Sequence, residues 1–230
     1  VKVKHNPEYL RAKSPKYLQP KMQNSDGNAT FKPLRVLVAC EYSGRVRDAF
    51  AKRGHTAVSC DLLPSDSPHG WHIQGDVLEI IGGGWDLMIA HPPCTHLAVS
   101  GARHFAAKQA SGVQDEALEF VRALMAAPIP RICIENPVSI ISSRIRKPDQ
   151  VIQPYMFGHL ERKATCLWLK GLPKLTPTND VKRKTMELPA NQRDKVHYMP
   201  PSAERWKLRS TTYQGIAEAM AAQWGLAPNA

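Results

Sequence analysis

The chain has 230 residues, 43% of them hydrophobic, which is enough for one α/β domain with a small appendage and a buried core. It contains no run of 18 apolar residues, and its N-terminal stretch is Lys-rich without an apolar core, so neither a membrane span nor a secretory signal is expected. Its five cysteines lack Cys-x-x-Cys spacing and His72, His91, His96 and His104 are scattered, which argues against a metal site and for a reduced, intracellular protein.

The net charge of +11 is unevenly spread: residues 1–35 carry +6, residues 36–143 carry −3 and residues 144–209 carry +9. A mildly acidic middle with basic flanks suits a polyanion laid across one face.

Residues 1–33, rich in Pro, Lys, Asn and Ser, read as a basic flexible arm. Arg35 to Cys40 is an apolar run and a predicted strand, followed by a short helix over Val46 to Lys52 with Val46, Ala49 and Phe50 on one face. His55 to Cys60 predicts a second strand ending at Asp61; a loop rich in Pro, Ser and Gly leads to Trp71–Gln74 and Gly75-Asp76. Trp85 to Ala90 predicts the next buried strand. The spacing of Val113, Ala117, Phe120, Val121 and Leu124 predicts an amphipathic helix over 111–126 with Ser111 as N-cap, stopped by Pro128 and Pro130. Strands are predicted over 131–134 and 164–169, the latter bounded by Gly171 and Pro173. Residues 174–209 are basic, broken by prolines and weakly periodic. A last amphipathic helix spans about 212–224, with Ile216, Ala217, Met220, Ala221 and Trp224 on one face. Strands alternating with helices imply an α/β fold with a doubly wound, mostly parallel sheet.

The chemistry concentrates at two strand ends. His91-Pro92-Pro93-Cys94 closes one apolar run; Pro92 and Pro93 lack N–H donors, so the chain must leave the sheet there with Cys94 on a stiff turn. Glu135-Asn136-Pro137 closes the run over 131–134. In open α/β sheets ligands bind at the strands' carboxyl ends, so a thiol and a carboxylate are presented where reaction is expected.

Pro-Pro-Cys followed by Glu-Asn-Pro resembles the nucleophile and glutamate motifs of the DNA cytosine-5 methyltransferases, and the resemblance runs in family order from residue 35 to about 225. It implies a Rossmann-like S-adenosylmethionine-dependent fold, divided into a core over 34–170, a reduced basic target-recognition region over 171–209 and a returning helix over 210–230. It implies methyl transfer to carbon 5 of a flipped cytosine in double-stranded DNA. Cys94 would add to carbon 6 of the ring, and Glu135, if protonated, would stabilise the charge developing there. Phe157 to Lys163 resembles a phenylalanine–glycine segment leading to an arginine, which makes Arg162 the guanidinium at the ring, with Lys163 as alternative. For the donor, Glu41, Tyr42, Ser43 and Gly44 stand at the family's glycine-rich loop, of whose glycines only Gly44 remains; Asp61 matches the ribose-binding acid, Asp76 the adenine-binding acid, and Pro92 flanks the site. Ser210 to Ala217 resembles the last motif, which folds back on the donor site.

Thr95 to Gly101 resembles the mobile loop that closes over the base, and Arg103 and Lys108 would touch phosphates as it continues. Lys182, Arg183, Lys184, Arg193 and Lys195, with Arg144, Arg146, Lys147, Arg205, Lys207 and Arg209, are the expected DNA grip. A recognition region of about 40 residues implies a very short or relaxed target. The expected setting is a monomer in the cytoplasm of a bacterial or phage-infected cell, associated with the nucleoid. Two other readings stay open: a cytosine-5 methyltransferase of RNA or nucleotides, and an inactive methyltransferase-like protein that binds DNA.

Overall fold

The computed structural model describes residues 32–202 and 204–226. The expected arm, apart from its last two residues, lies outside them. Seven strands form one sheet: β1 (Arg35–Ala39), β2 (Thr56–Asp61), β3 (Trp71–Gln74), β4 (Leu87–Ala90), β5 (Arg131–Pro137), β6 (Gln150–Ile152) and β7 (Thr165–Lys170), in the order β3-β2-β1-β4-β5-β7-β6. All neighbours are parallel except β7, which runs antiparallel to both β5 and β6. The doubly wound, mostly parallel sheet is therefore present, and β3 and β6 extend it at the edges.

Strand alternation divides the core. Val36 and Val38 face one layer with Leu87, Ile89, Cys133 and Leu167, while Leu37 and Ala39 face the other with Met88, Ala90, Ile132 and Ile134. The first layer is covered by α1 (Arg45–Ala51) and by the last helix, Gln214–Trp224, which pack on each other. Phe50, Ile216 and Met220 are buried there, each contributing on the order of 1.5–3 kcal/mol. Gly215 lets that helix approach closely, since a Cβ would overlap the carbonyl of Phe157. The helix Val113–Met125 covers the second layer through Leu118, Val121 and Leu124. The winding reverses between β1 and β4: the chain steps outward from β1 to β2 and the other way from β4 to β5, and right-handed crossovers put α1 and Val113–Met125 on opposite faces. A crevice at the carboxyl edge follows from that reversal.

Several local expectations change. Residues 105–110, read as loop, form a helix (Phe105–Ala110); Ser111 caps its C-terminus, its Oγ donating to the Lys108 carbonyl. The following helix starts instead from Gly112 at φ 78°, and its buried face is Gln114, Leu118, Val121 and Leu124, so Ala117 and Phe120 lie at the margin. Glu135-Asn136-Pro137, expected to close the strand after 134, continues it: β5 runs on through Pro137 because β7 pairs beside it, Glu135 opposite Leu167 and Pro137 opposite Thr165. Among the described residues, 174–210 contain four short helices, Lys182–Glu187, Ala190–Arg193, Lys195–Tyr198 and Arg205–Ser210. Each is too short for a periodic signal to stand out.

Candidate active site

The strand ends of β4 and β5 lie side by side. The His91 N–H still donates to Ala39 (2.9 Å), after which Pro92 and Pro93 end the ladder. The Cys94 carbonyl then accepts from Leu97 (3.0 Å) and Ala98 (2.9 Å), turning the chain with the thiol part-exposed at its start. Asn136 clamps the two ends, its Nδ2 donating to the Pro92 carbonyl at 2.8 Å. Below it, His91 Nδ1 lies 2.8 Å from Glu135 Oε2, and both side chains are nearly buried.

Charge at this point is concentrated. Burial raises the Cys94 thiol and Glu135 raises it further, while Lys163 and Arg209 pull it back. Burial disfavours the charged His91, yet the bond and charge of Glu135, with Glu41 behind, hold the imidazole above its ordinary value. Burial would raise Glu135 too, but His91 and Lys163 bring its carboxyl below the usual range. Both directions favour an ion pair between His91 and Glu135.

Lys163, not Arg162, is the cation that faces the pair. Its Nζ donates to the Arg209 carbonyl at 2.6 Å and lies 5.9 Å from the Tyr213 ring. With Glu135, Thr165, Ser210, Thr212 and Tyr213 it lines a small cleft. Arg162 turns outward into a bidentate bond with Asp194 (2.7 and 2.7 Å), and Arg193 meets the same carboxylate at 3.3 Å. Two adjacent basic residues before an edge-paired strand point to opposite sides, and Asp194 captures the outer one.

Across the crevice, Cys40 follows β1 with φ 57°, unusual for a residue with a Cβ. Glu41 is 4% exposed and accepts from the Val46 N–H (2.7 Å), the Arg47 N–H (3.3 Å) and Ser43 Oγ (3.2 Å). Its carboxylate thus occupies the N-terminus of α1, where negative charge is favoured. Gly44 turns into α1 at φ 74°, and a Cβ there would collide with Arg47 and Ser67. The Tyr42 hydroxyl donates to the Lys207 carbonyl (2.9 Å) and lies 2.9 Å from Ser210 Oγ, its ring 5.8 Å from Trp206. The 206–210 segment thereby folds back on this loop.

Asp61 is half-buried, and burial raises its carboxyl although the Leu63 N–H donates to it at 2.9 Å. Asp76 accepts from the Leu78 N–H at 2.9 Å. Burial raises the Cys40 thiol and both carboxylates raise it further, so the ends of β1, β2 and β3 converge. Sequence reasoning misses Arg47, which is fully buried: its guanidinium donates to Ser59, Ser65, Asp48 and the His69 carbonyl, holding the 62–70 loop. No spacing signal marks such an arginine, because it lies beside Val46 on a short helix.

The Thr95–Gly101 segment is anchored at its middle. Leu97 and Ala98 are buried and pair with residues 138–140 through backbone bonds, while Val99 to His104 is exposed except at the half-buried Gly101. Arg103 donates to His104, and Lys108 reaches back to the Thr95 carbonyl. Lys182, Arg183 and Lys184 are exposed on Lys182–Glu187, with Arg183 3.5 Å from Glu187; Lys195 is exposed on its own short helix. Arg146 bonds Asp149 and the carbonyl of Leu169, which sits opposite Cys133, toward the amino end of β5 from Glu135. That places it away from the crevice.

Among the described residues no group of His, Cys, Asp and Glu could hold a metal ion, and no helix is long and apolar enough to cross a membrane. No family model matches the chain, and no curated protein does. Among solved structures, the chain is similar to one from E. coli described as a "putative DNA modification methyltransferase encoded within prophage Cp", at 18% identity and a TM-score of 0.43. The match covers 68% of this chain and 55% of that one.

Proposed function

We propose that this chain is a DNA cytosine-5 methyltransferase that acts through a covalent Cys94 adduct with a flipped cytosine. One observation carries the reading. A part-exposed thiol and a nearly buried carboxylate stand on neighbouring strand ends, clamped by the Asn136–Pro92 bond, beside a lysine and opposite a second cluster of carboxylates. Carbon 5 of cytosine is a weak nucleophile until a thiolate adds at carbon 6, so the ring needs this thiol and a group that meets nitrogen 3 and the exocyclic amine. Cys94 and Glu135 fill those roles. Lys163 supplies positive charge toward the thiolate and the ring's carbonyl oxygen, in place of Arg162. A base in a duplex must be extruded to reach them.

Asp61 and Asp76 suit the adenosine half of S-adenosylmethionine, since carboxylates accept from ribose hydroxyls and the adenine amine. Asp61 in particular is a half-buried carboxylate that, among the described residues, accepts from the backbone of its own turn. When bound there, the donor supplies the electrophilic methyl group. Tyr42, Ser43, Gly44 and Pro92 would border it. Glu41 would act only from behind, as the cap of α1. The filled α1 N-terminus is also the one observation favouring a DNA-binding protein without catalysis, and calorimetry with S-adenosylmethionine separates the two readings.

The direct test uses DNA carrying 5-fluorocytosine, from which fluorine cannot leave as the proton does. With S-adenosylmethionine the protein is expected to form a denaturant-stable adduct, which Cys94→Ser abolishes while DNA binding persists. An adduct that survives the substitution removes Cys94 as the nucleophile.

A further inference from the structure

His91 has no part in the chemistry proposed so far, yet it is the best-placed polar group beside it. Its Nδ1 lies 2.8 Å from Glu135 Oε2, its side chain is 9% exposed, and its Nε2 is buried with no partner among the described residues. Its position is fixed because its own N–H completes the β1–β4 ladder on the Ala39 carbonyl. Four charged groups act on or with it: Glu135 from β5, Glu41 from the loop after β1, Lys163 ahead of β7, and Asp61 at the end of β2. Three are acidic and one is basic.

We propose that His91 is a positioning residue for Glu135: its Nδ1–H fixes Oε2, leaves Oε1 as the oxygen offered to the substrate ring, and makes the pair electrically neutral while the thiolate adds. The proposal rests on reading the site as one for cytosine methylation. A carboxylate with both oxygens free to rotate cannot hold one geometry against the exocyclic amine, which donates to Oε1, and one fixed oxygen removes that freedom. An uncompensated Glu135 anion would also oppose both the Cys94 thiolate and the negative charge that builds on the ring, since like charges in a buried site disfavour one another. A doubly protonated His91 cancels that opposition. Its bond to a buried carboxylate raises its proton affinity, so the active form survives to higher pH than an isolated imidazole would allow.

Activity is therefore expected to rise with pH as Cys94 deprotonates and to fall again as His91 loses its proton. His91→Asn puts an amide N–H where Nδ1–H stood, keeping the bond and removing the charge. Expected for this variant are a DNA KM within about threefold of wild type, a kcat lower by roughly tenfold to a hundredfold, the scale of a charge-assisted bond, and loss of the alkaline fall in the pH–rate profile. A second measurement needs no turnover. Nitrogen-15 NMR of the unliganded full chain should show the His91 imidazole titrating at lower pH in Glu135→Gln than in wild type.

An imidazole that titrates alike in both proteins overturns the proposal. So does a His91→Asn enzyme with the wild-type kcat and pH profile, and in that case the methyltransferase reading stands. Wild-type protein that leaves cytosine unmethylated, by contrast, removes the methyltransferase reading and this role together.

Discussion

On the β1–β3 side of the crevice, the buried polar groups are bonded within the fold: Glu41 caps α1, and Arg47 gathers Ser59, Ser65, Asp48 and the His69 carbonyl. On the β4–β5 side the pattern is different. His91 Nε2, His96 Nδ1, Asn136 Oδ1 and Ser139 Oγ are all buried without a partner among the described residues, and all four lie in the strand-end segments that carry Cys94 and Glu135. An unmet buried donor or acceptor costs about 1–3 kcal/mol. Buried groups that the protein's own atoms leave unbonded are open to a ligand or to ordered water, whereas groups satisfied within the fold, such as Arg47, serve as scaffold.

That contrast can be broken by mutation. Glu135→Gln should lower kcat by roughly tenfold to a hundredfold, the scale of a lost charge-assisted hydrogen bond, with S-adenosylmethionine affinity unchanged in calorimetry. Arg47→Ala should do the reverse. It leaves hydroxyls and a carbonyl unsatisfied around a lost buried charge, so urea unfolding should show a loss of about 3–5 kcal/mol, with residual folded protein still forming the 5-fluorocytosine adduct. If Arg47→Ala folds normally but cannot form the adduct, the division between scaffold and site is wrong.

Smaller effects sharpen the boundary. Asp61→Ala and Asp76→Ala should each weaken donor binding by about tenfold to a hundredfold; unchanged affinity in both would move the donor elsewhere. Arg162→Ala should barely alter turnover, because its guanidinium is engaged by Asp194 and not by the cleft that holds Glu135, while Lys163→Ala should lower kcat clearly in the same assay. Neutralising Lys182, Arg183 and Lys184 together should flatten the log–log salt slope of DNA binding by up to about 0.9 for each phosphate no longer neutralised, and weaken binding alike on all sequences. An unchanged slope would place the DNA on another face.

From the sequence alone, apolar runs and prolines were enough to locate β1, β2, β4, β5 and β7, to put Cys94 just past β4, and to pair it with a glutamate near the end of β5. These are local facts: a strand buried on both faces needs a continuous apolar run, and Pro-Pro cannot extend a ladder. The edge strand β6 carries three residues and no such signal. Only the tertiary structure decided that β7 lies antiparallel beside β5, and this pairing keeps Glu135 within a strand. It likewise turned Arg162 outward to Asp194 and Lys163 inward, and set His91 on Glu135 across two strands separated by 44 residues in sequence. Periodicity assigns a residue to a strand or helix, but partners distant in the chain are chosen by packing, which no local pattern encodes.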